Sequence, residues 1–338
     1  MLSVGYTIAC EDKSVTVLYS KGEMKFVFDI VNVVSKNEEE MNYLVKSEET
    51  KELFHMKTME CNEICIESIV NEIDKNKGNP FLMQPEVVFI YSGIVYLLSR
   101  FKITKTLAQL LTEQKILNER RARFYTYQIA IALNTLHSNG IIYNGLTTKE
   151  VFIDKEGYIC LDDINICRLL PAGKKKSYIN SKINSKMLYS SPEDLLRKNI
   201  TYAVDWWSLG VILYELLLGI PPFYSEERKD LEQKICCQSL KFPLMINYHI
   251  LISDAARDII SRLLAKAVQV RLGKDVIEHE FFYTKEWTKE TMLKRQADLT
   301  YILPKQGSSE ESVFVSEPIA SLYPKMTRNE IYKKFQLL

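Results

Sequence analysis

The sequence predicts an α+β protein of two lobes, a small β-rich one followed by a larger helical one and then an extended tail. Three observations carry that expectation. Between Phe26 and Leu98, short apolar stretches are broken by polar residues and turns, the signature of strands. From Thr106 onward the apolar residues recur at three- and four-residue spacing, the period of helices. Deep in the helical half, WWSLGVILYELLLG is apolar on nearly every side, so it must be a buried helix at the centre of a large core.

The elements follow in order. Within residues 1–25 the weak alternation of SVTVLYSKGEMKF predicts a small strand pair with a turn at Lys21–Gly22. FVFDIVNVV, NYLVK and LFHMKTM continue as strands, as do VVFIY and IVYLL around a Ser92–Gly93 turn. One helical segment is expected near Ile64–Ile73. Ile129, Ala132, Leu133 and Leu136 line one face of a long helix that ends near Asn139–Gly140. Asp205 is placed to cap the apolar helix, and Ser253 opens another with Ala256, Ile259, Ile260 and Leu263 inward. After about residue 283 periodicity fades into GSSEES. The expected boundaries are an N-terminal extension at 1–25, a β lobe at 26–101, a helical lobe at 102–282 and a tail at 283–338.

Composition excludes several classes. Among 338 residues, 44 Lys+Arg face 43 Asp+Glu, which gives +1 and no broad footprint for nucleic acid. Hydrophobic residues at 46% and charged ones at 26% describe a globular chain. No run reaches the roughly eighteen apolar residues of a membrane span, and the N-terminus carries no secretory signal. Seven cysteines without a CxxC pair point to a reducing compartment, the cytoplasm or the nucleus, with Cys236 and Cys237 as reduced core or boundary residues.

Six segments then stand in a recognisable order: HMK at His55–Lys57, NPFL at Asn79–Leu82, the long run Arg121–Arg168, SPE at Ser191–Glu193, YAVDWWSLGVILYELLLGIPPF, and RLGKD from Arg271. In this register they resemble a eukaryotic protein kinase of the AGC group, which includes the cyclic-nucleotide-dependent, Akt-like and S6-kinase-like enzymes. The likeness runs from about residue 28 to the end. It implies a bilobal kinase fold with an AGC-type C-terminal tail, and a chemistry that needs magnesium, positioning and neutralisation of phosphate charge.

Against that demand the matched positions divide. Lys57 stands at the lysine that would hold the α/β-phosphates, with an exposed strand lysine as the alternative; its helix partner is Glu67 or Glu72. The glycine-rich loop falls on residues 35–40, where Ser35, Asn37 and Glu40 replace the three glycines and Glu38–Glu40 bring three carboxylates. In the catalytic loop Gly145 replaces the aspartate that takes the hydroxyl proton, and Thr147 replaces the phosphate lysine. Glu150 replaces the metal-binding asparagine, and a carboxylate there remains able to hold magnesium. Asp163 survives from DFG beside Asp162, as a metal ligand or as a retained structural acid. Asp154 lies beyond the loop on the next strand and cannot stand in for Gly145.

The nucleotide-facing positions carry His55 for a small alanine, Phe152 for an aliphatic residue and Asn42 for a valine, and these are expected to fill the purine space. Ser99 and Arg100 occupy the hinge. The architectural positions persist: Glu193 and Arg271 match a buried ion pair, Asp205 matches the anchor of the catalytic-loop backbone, and Trp206, Trp207 and Phe223 are core. In the activation segment Lys182 replaces the phosphorylated threonine, Ser185–Tyr189 replaces GTPEY, and Ser177, Tyr178 and Ser181 remain as hydroxyls. Tyr332 and Phe335 resemble the tail's FxxF docking motif, with Gln336 at its phosphorylation position.

The resulting expectation is a pseudokinase that uses neither ATP nor Mg2+. It would act through protein partners, such as an active kinase or its substrate, as scaffold, allosteric partner or decoy. The alternative is an atypical Ser/Thr kinase that transfers phosphate from Mg·ATP with Lys57 and Asp163.

Overall fold

The structure, a computed structural model, describes residues 6–11, 14–19, 25–36, 40–60, 74, 76, 78–91, 93–100, 103–161, 185–198, 200–242 and 252–299. The chain divides into two compact units, the first built mainly from residues up to Lys105 and the second mainly from Thr106 onward.

The first unit is a seven-stranded sheet. Its strands are β1 (Tyr6–Glu11), β2 (Ser14–Tyr19), β3 (Lys25–Lys36), β4 (Glu40–Ser47), β5 (Leu53–Glu60), β6 (Val87–Tyr91) and β7 (Ile94–Ser99). They run in the order β1-β2-β3-β4-β5-β7-β6, each paired antiparallel. Strand alternation sorts the side chains. Phe28, Val45, Phe54, Met56, Tyr96 and Leu98 form one core cluster, with the Phe28 and Phe54 rings edge to face at 5.6 Å. The opposite face of β4 and β5 carries Asn42, His55 and Lys57. β1 and β6, the two ends of the sheet, lie next to each other, so the sheet curls toward closure.

The strand pair expected in SVTVLYSKGEMKF is present as β2 and the start of β3, which pair antiparallel; Lys21–Gly22 lies between them in sequence, outside the described residues, and β1 is a further strand at the sheet edge. β1 and β2 continue the same sheet and do not form a separate extension, because their backbone groups complete the ladder of β3. The helix expected near Ile64–Ile73 lies outside the described residues.

The second unit is helical: α1 (Leu107–Gln114), α2 (Glu119–Ser138), α3 (Pro192–Leu195), α4 (Ala203–Leu218), α5 (Arg228–Cys237), α6 (Asp254–Leu263) and α7 (Lys289–Leu293). Three short strands, β8 (Ile103–Thr106), β9 (Val151–Asp154) and β10 (Ile159–Leu161), form a second sheet in the order β10-β9-β8. Local chemistry starts the helices. Thr106 and Gln109 make a capping box for α1, Asn118 caps α2 and Ser253 caps α6. α4 is buried from Val204 to Leu218, and Trp206, Trp207 and Phe223 are core. α6 crosses it where Gly210 leaves room for Leu263.

Asp205 does not cap α4. The helix begins at Ala203 without a side-chain cap, and the Asp205 carboxylate serves a distant loop described below. Residues 284–299, at the start of the expected tail, keep more order than their composition suggests. α7 lies within them, Trp287 and Met292 are buried, and Ala297 N donates to Tyr158 Oη at 3.1 Å. Cys160 is buried and reduced, Cys236 partly buried, and Cys237 exposed rather than a boundary residue. Among the described residues no helix is long and apolar enough to cross a membrane.

Candidate functional site

On the first unit the matched lysine sits in β5. Lys57 pairs in register with Asn42 and Leu97, and its neighbour on the same face, His55, pairs with Leu44 and Ser99. Lys57 is 2% exposed, which removes the exposed-lysine alternative; His55 is 0% and Asn42 5%. His55 Nδ1 lies 2.9 Å from Met83 Sδ, so the methionine after NPFL covers the imidazole. Burial, helped by the Lys57 charge, lowers the His55 pKa to about 3 and leaves the ring neutral. Arg100, at the hinge position, points to solvent and pairs with Glu86 at 2.9 Å.

On the second unit the catalytic-loop match follows α2. The helix ends at Ser138, Gly140 turns the chain with φ +77°, and residues 141–147 run without regular structure. Such a loop needs acceptors for its buried amides. Asp205 supplies them: Oδ2 accepts from Tyr143 N at 2.8 Å and Oδ1 from Asn144 N at 2.8 Å. His137 Nε2 meets the same Oδ2 at 2.8 Å, and its ring packs tilted against Tyr202 and edge to face with Trp206. Pinned this way, Asn144 and Gly145 both take left-handed backbone, with φ of +48° and +127°. No side chain exists at 145, and a Cβ built there meets nothing within 4 Å.

The next positions close on one another. Thr147, 1% exposed, donates its hydroxyl to Glu150 Oε2 and accepts from Lys149 N. Glu150 Oε1 faces Lys186 Nζ at 3.8 Å. One residue along the loop, Thr148 Oγ1 is 3.0 Å from Tyr189 Oη, which in turn donates to Glu215 on α4. Ser208 Oγ donates to Tyr189 O at 3.0 Å. The stretch matching GTPEY is therefore a 3₁₀ turn, Ser185–Tyr189, fixed from beneath by α4. Phe152, in β9, is 2% exposed.

Beside these, the architectural pair is made. Arg271 Nη1 and Nη2 donate to the Glu193 oxygens at 2.5 and 3.0 Å, and the guanidinium also bonds Ala203 O and Ala265 O. Burial alone would raise the Glu193 pKa; the Arg271 hydrogen bonds and charge outweigh it and hold the carboxyl low.

The structure thus brings together Asp205 with Tyr143 and Asn144, Thr147 with Glu150, and Glu193 with Arg271. Residues 37–39, Glu67, Glu72, Asp162, Asp163, Ser177, Tyr178, Ser181, Lys182, Tyr332, Phe335 and Gln336 lie outside the described residues. Sequence reasoning did not foresee the Thr147–Glu150 bond, although the Thr-x-x-Glu spacing that signals local capping was present. The cover of His55 by Met83, 28 residues away, had no local signal.

Residues 38–282 match the protein kinase domain family. Among curated proteins the chain is 31% identical over 300 residues to the serine/threonine protein kinase ypkA of Aspergillus fumigatus, which covers 86% of this chain and 46% of that protein. It is 30% identical over 307 residues to the serine/threonine-protein kinase sgk-1 of Caenorhabditis elegans, covering 87% and 64%. With gad8 of Schizosaccharomyces pombe, also a serine/threonine-protein kinase, it shares 31% over 272 residues, covering 78% and 46%. The chain spans about half to two thirds of the length of these relatives.

Proposed function

The chain belongs to the protein kinase family, in its AGC group, and from that premise we propose that it is a catalytically inactive member that works by binding another protein. The observation that carries this reading is the catalytic loop. Gly145 offers no base where the hydroxyl proton must go, and general-base help is typically worth 10²–10⁴-fold. Thr147 brings no charge to a phosphate, and its hydroxyl is donated to Glu150, whose two oxygens are thus taken up by Thr147 and Lys186.

The described residues do not fit a magnesium–triphosphate group. On the first unit Asn42, His55 and Lys57 are almost fully buried, and a neutral imidazole covered by Met83 offers a purine no open face. On the second unit the phosphate lysine is absent and the one loop carboxylate already has two partners. What remains intact is scaffold: the Asp205 anchor, the Glu193–Arg271 pair and α4. A scaffold kept without its chemistry suits a scaffold, allosteric or decoy role toward a protein such as an active kinase or its substrate. We place that role in the cytoplasm or nucleus, with lobes near 26–101 and 102–282, a tail after 283 and Tyr332 and Phe335 as its docking aromatics.

The purified chain should transfer no phosphate from labelled ATP, and its melting temperature should not move with Mg·ATP, because only a ligand bound to the native state stabilises it. Transfer abolished by Lys57→Met and Asp163→Ala would overturn the proposal and establish the atypical kinase instead. A nucleotide-dependent rise in melting without transfer would narrow it to a nucleotide-binding pseudokinase.

A further inference from the structure

The loop carboxylate that should meet a metal already has a cation. Glu150 stands at the metal-binding asparagine, and its two oxygens are divided: Oε2 takes the Thr147 hydroxyl and Oε1 faces Lys186 Nζ at 3.8 Å. The substitutions are complementary. The loop loses a lysine at Thr147 and gains an anion at Glu150, while the stretch that replaces GTPEY gains the lysine at 186. Steric closure does not explain the arrangement, since the Lys186 and Glu150 side chains are 48% and 24% exposed and a small hydrated ion has a path to them. What opposes a divalent ion there is the ammonium charge, which disfavours another cation at the same carboxylate.

Lys186 is also well placed to act on the backbone around it. Its neighbour Met187 is buried, and Tyr189 is fixed through Thr148, Glu215 and Ser208. We infer that Lys186 takes the place of the metal ion at Glu150, so that an ammonium from the activation segment neutralises the catalytic loop and straps the segment onto it. This deepens the inactive-kinase reading and rests on it: the site has exchanged a removable cofactor for a covalently attached cation.

The test uses the full chain with Mn2+ alone as probe, followed by water-proton relaxation, and amide hydrogen exchange of residues 185–191 without metal. Lys186→Met should bind Mn2+ at least tenfold more tightly than wild type, and the double variant Lys186→Met/Glu150→Gln should lose that gain. Lys186→Arg, which keeps the charge, should behave as wild type. Exchange at 185–191 should rise several-fold in Lys186→Met and fall again on adding Mn2+. Equal Mn2+ affinity in wild type and Lys186→Met, a gain that survives Glu150→Gln, or unchanged exchange would each overturn the inference. Neither readout involves phosphate transfer, so an active wild-type enzyme and a failed strap are seen separately.

Discussion

Arg271 grips Glu193 with two nitrogens, one on each carboxylate oxygen, across 78 residues of sequence. Both side chains are buried, at 0% and 5% exposure, so the pair lives at low effective dielectric. Removing one member strands a charge, which costs about 3–5 kcal/mol, whereas replacing both with apolar groups is often near neutral. Arg271→Leu and Glu193→Leu should therefore each lower urea-unfolding stability by that order. The double variant should lose much less than the sum of the two. Additive losses would mean that the guanidinium bonds to Ala203 O and Ala265 O, not the ion pair, carry the effect.

The acid response of the pair has a definite sign. Glu193 is held below its ordinary range in the folded chain, so its contribution is full above the unfolded carboxylate pKa of about 4.3 and fades as pH falls through the folded value.

His55 gives a second pH response in a separate window. Its folded pKa of about 3 lies below the ordinary imidazole value of about 6.5, so between those values the unfolded chain binds the extra proton. Stability is unaffected by His55 above pH 6.5 and drops on acidification below it, by up to about 1.4 kcal/mol per pH unit. The urea midpoint of wild type minus that of His55→Gln, followed from pH 7.5 to 4.5, should shrink as pH falls, because the variant lacks the penalty. A flat difference would mean that the ring titrates alike in the folded and unfolded chains.

How much of this was legible follows from how local each cause is. α4 could be read directly, because a run with polar groups at so few positions has no solvent face to choose. The Glu193–Arg271 pair could be read only through the family likeness, since nothing at either end of a 78-residue gap names the other. Asp205 also met the local rule for a cap, as an acid two residues into an apolar helix, whereas its anchoring role was legible only through the family likeness, because the donors it serves, Tyr143 N and Asn144 N, are 62 and 61 residues away. β1 escaped because YTIACE is short and gains its strand character from pairing with β2. The site followed the same divide: the missing groups at 145 and 147 were visible as letters, but the bonds that Thr147, Glu150 and Lys186 make with one another depend on the folded loop.

Asp205 itself is the simplest test of the loop anchor. Asp205→Ala removes the carboxylate that accepts from the buried Tyr143 amide, at about 1–3 kcal/mol for an unsatisfied buried group, and from the part-buried Asn144 amide at a smaller cost. Asp205→Asn keeps one acceptor oxygen and should lose about half as much. Amide exchange at 143 and 144 should accelerate in the alanine variant, and protection that persists there would show another acceptor at work.

If the proposed inactive reading holds, placing a carboxylate at position 145 should not by itself yield phosphate transfer. At Gly145 the backbone φ of +127° is one that side-chain-bearing residues rarely adopt, at a penalty of about 1–3 kcal/mol, while space beyond the Cα is open. Gly145→Ala and Gly145→Asp should therefore destabilise by similar amounts, the cost arising from the backbone and not from contact. Gly145→Asp should still give no detectable phosphate transfer, since Thr147 and Glu150 remain joined. Measurable transfer from that single change would mean that one missing carboxylate was the whole defect.

Gly210 tests how closely α4 and α6 approach. A Cβ added there would sit 2.8 Å from Leu263 Cβ and 3.0 Å from Leu264 Cδ2, and the first of these atoms is fixed to the α6 backbone. Two effects oppose. Alanine stabilises a helix interior by about 1 kcal/mol relative to glycine, whereas overpacking a tight contact costs about 1–3 kcal/mol. Because a Cβ cannot swing aside as a methyl tip can, the clash should win, and Gly210→Ala should lower stability by about 1–2 kcal/mol. Gly210→Val, with more bulk in the same place, should lose more. A gain in melting temperature for Gly210→Ala would show that α6 yields to the added methyl, so that the contact between the two helices is not rigid.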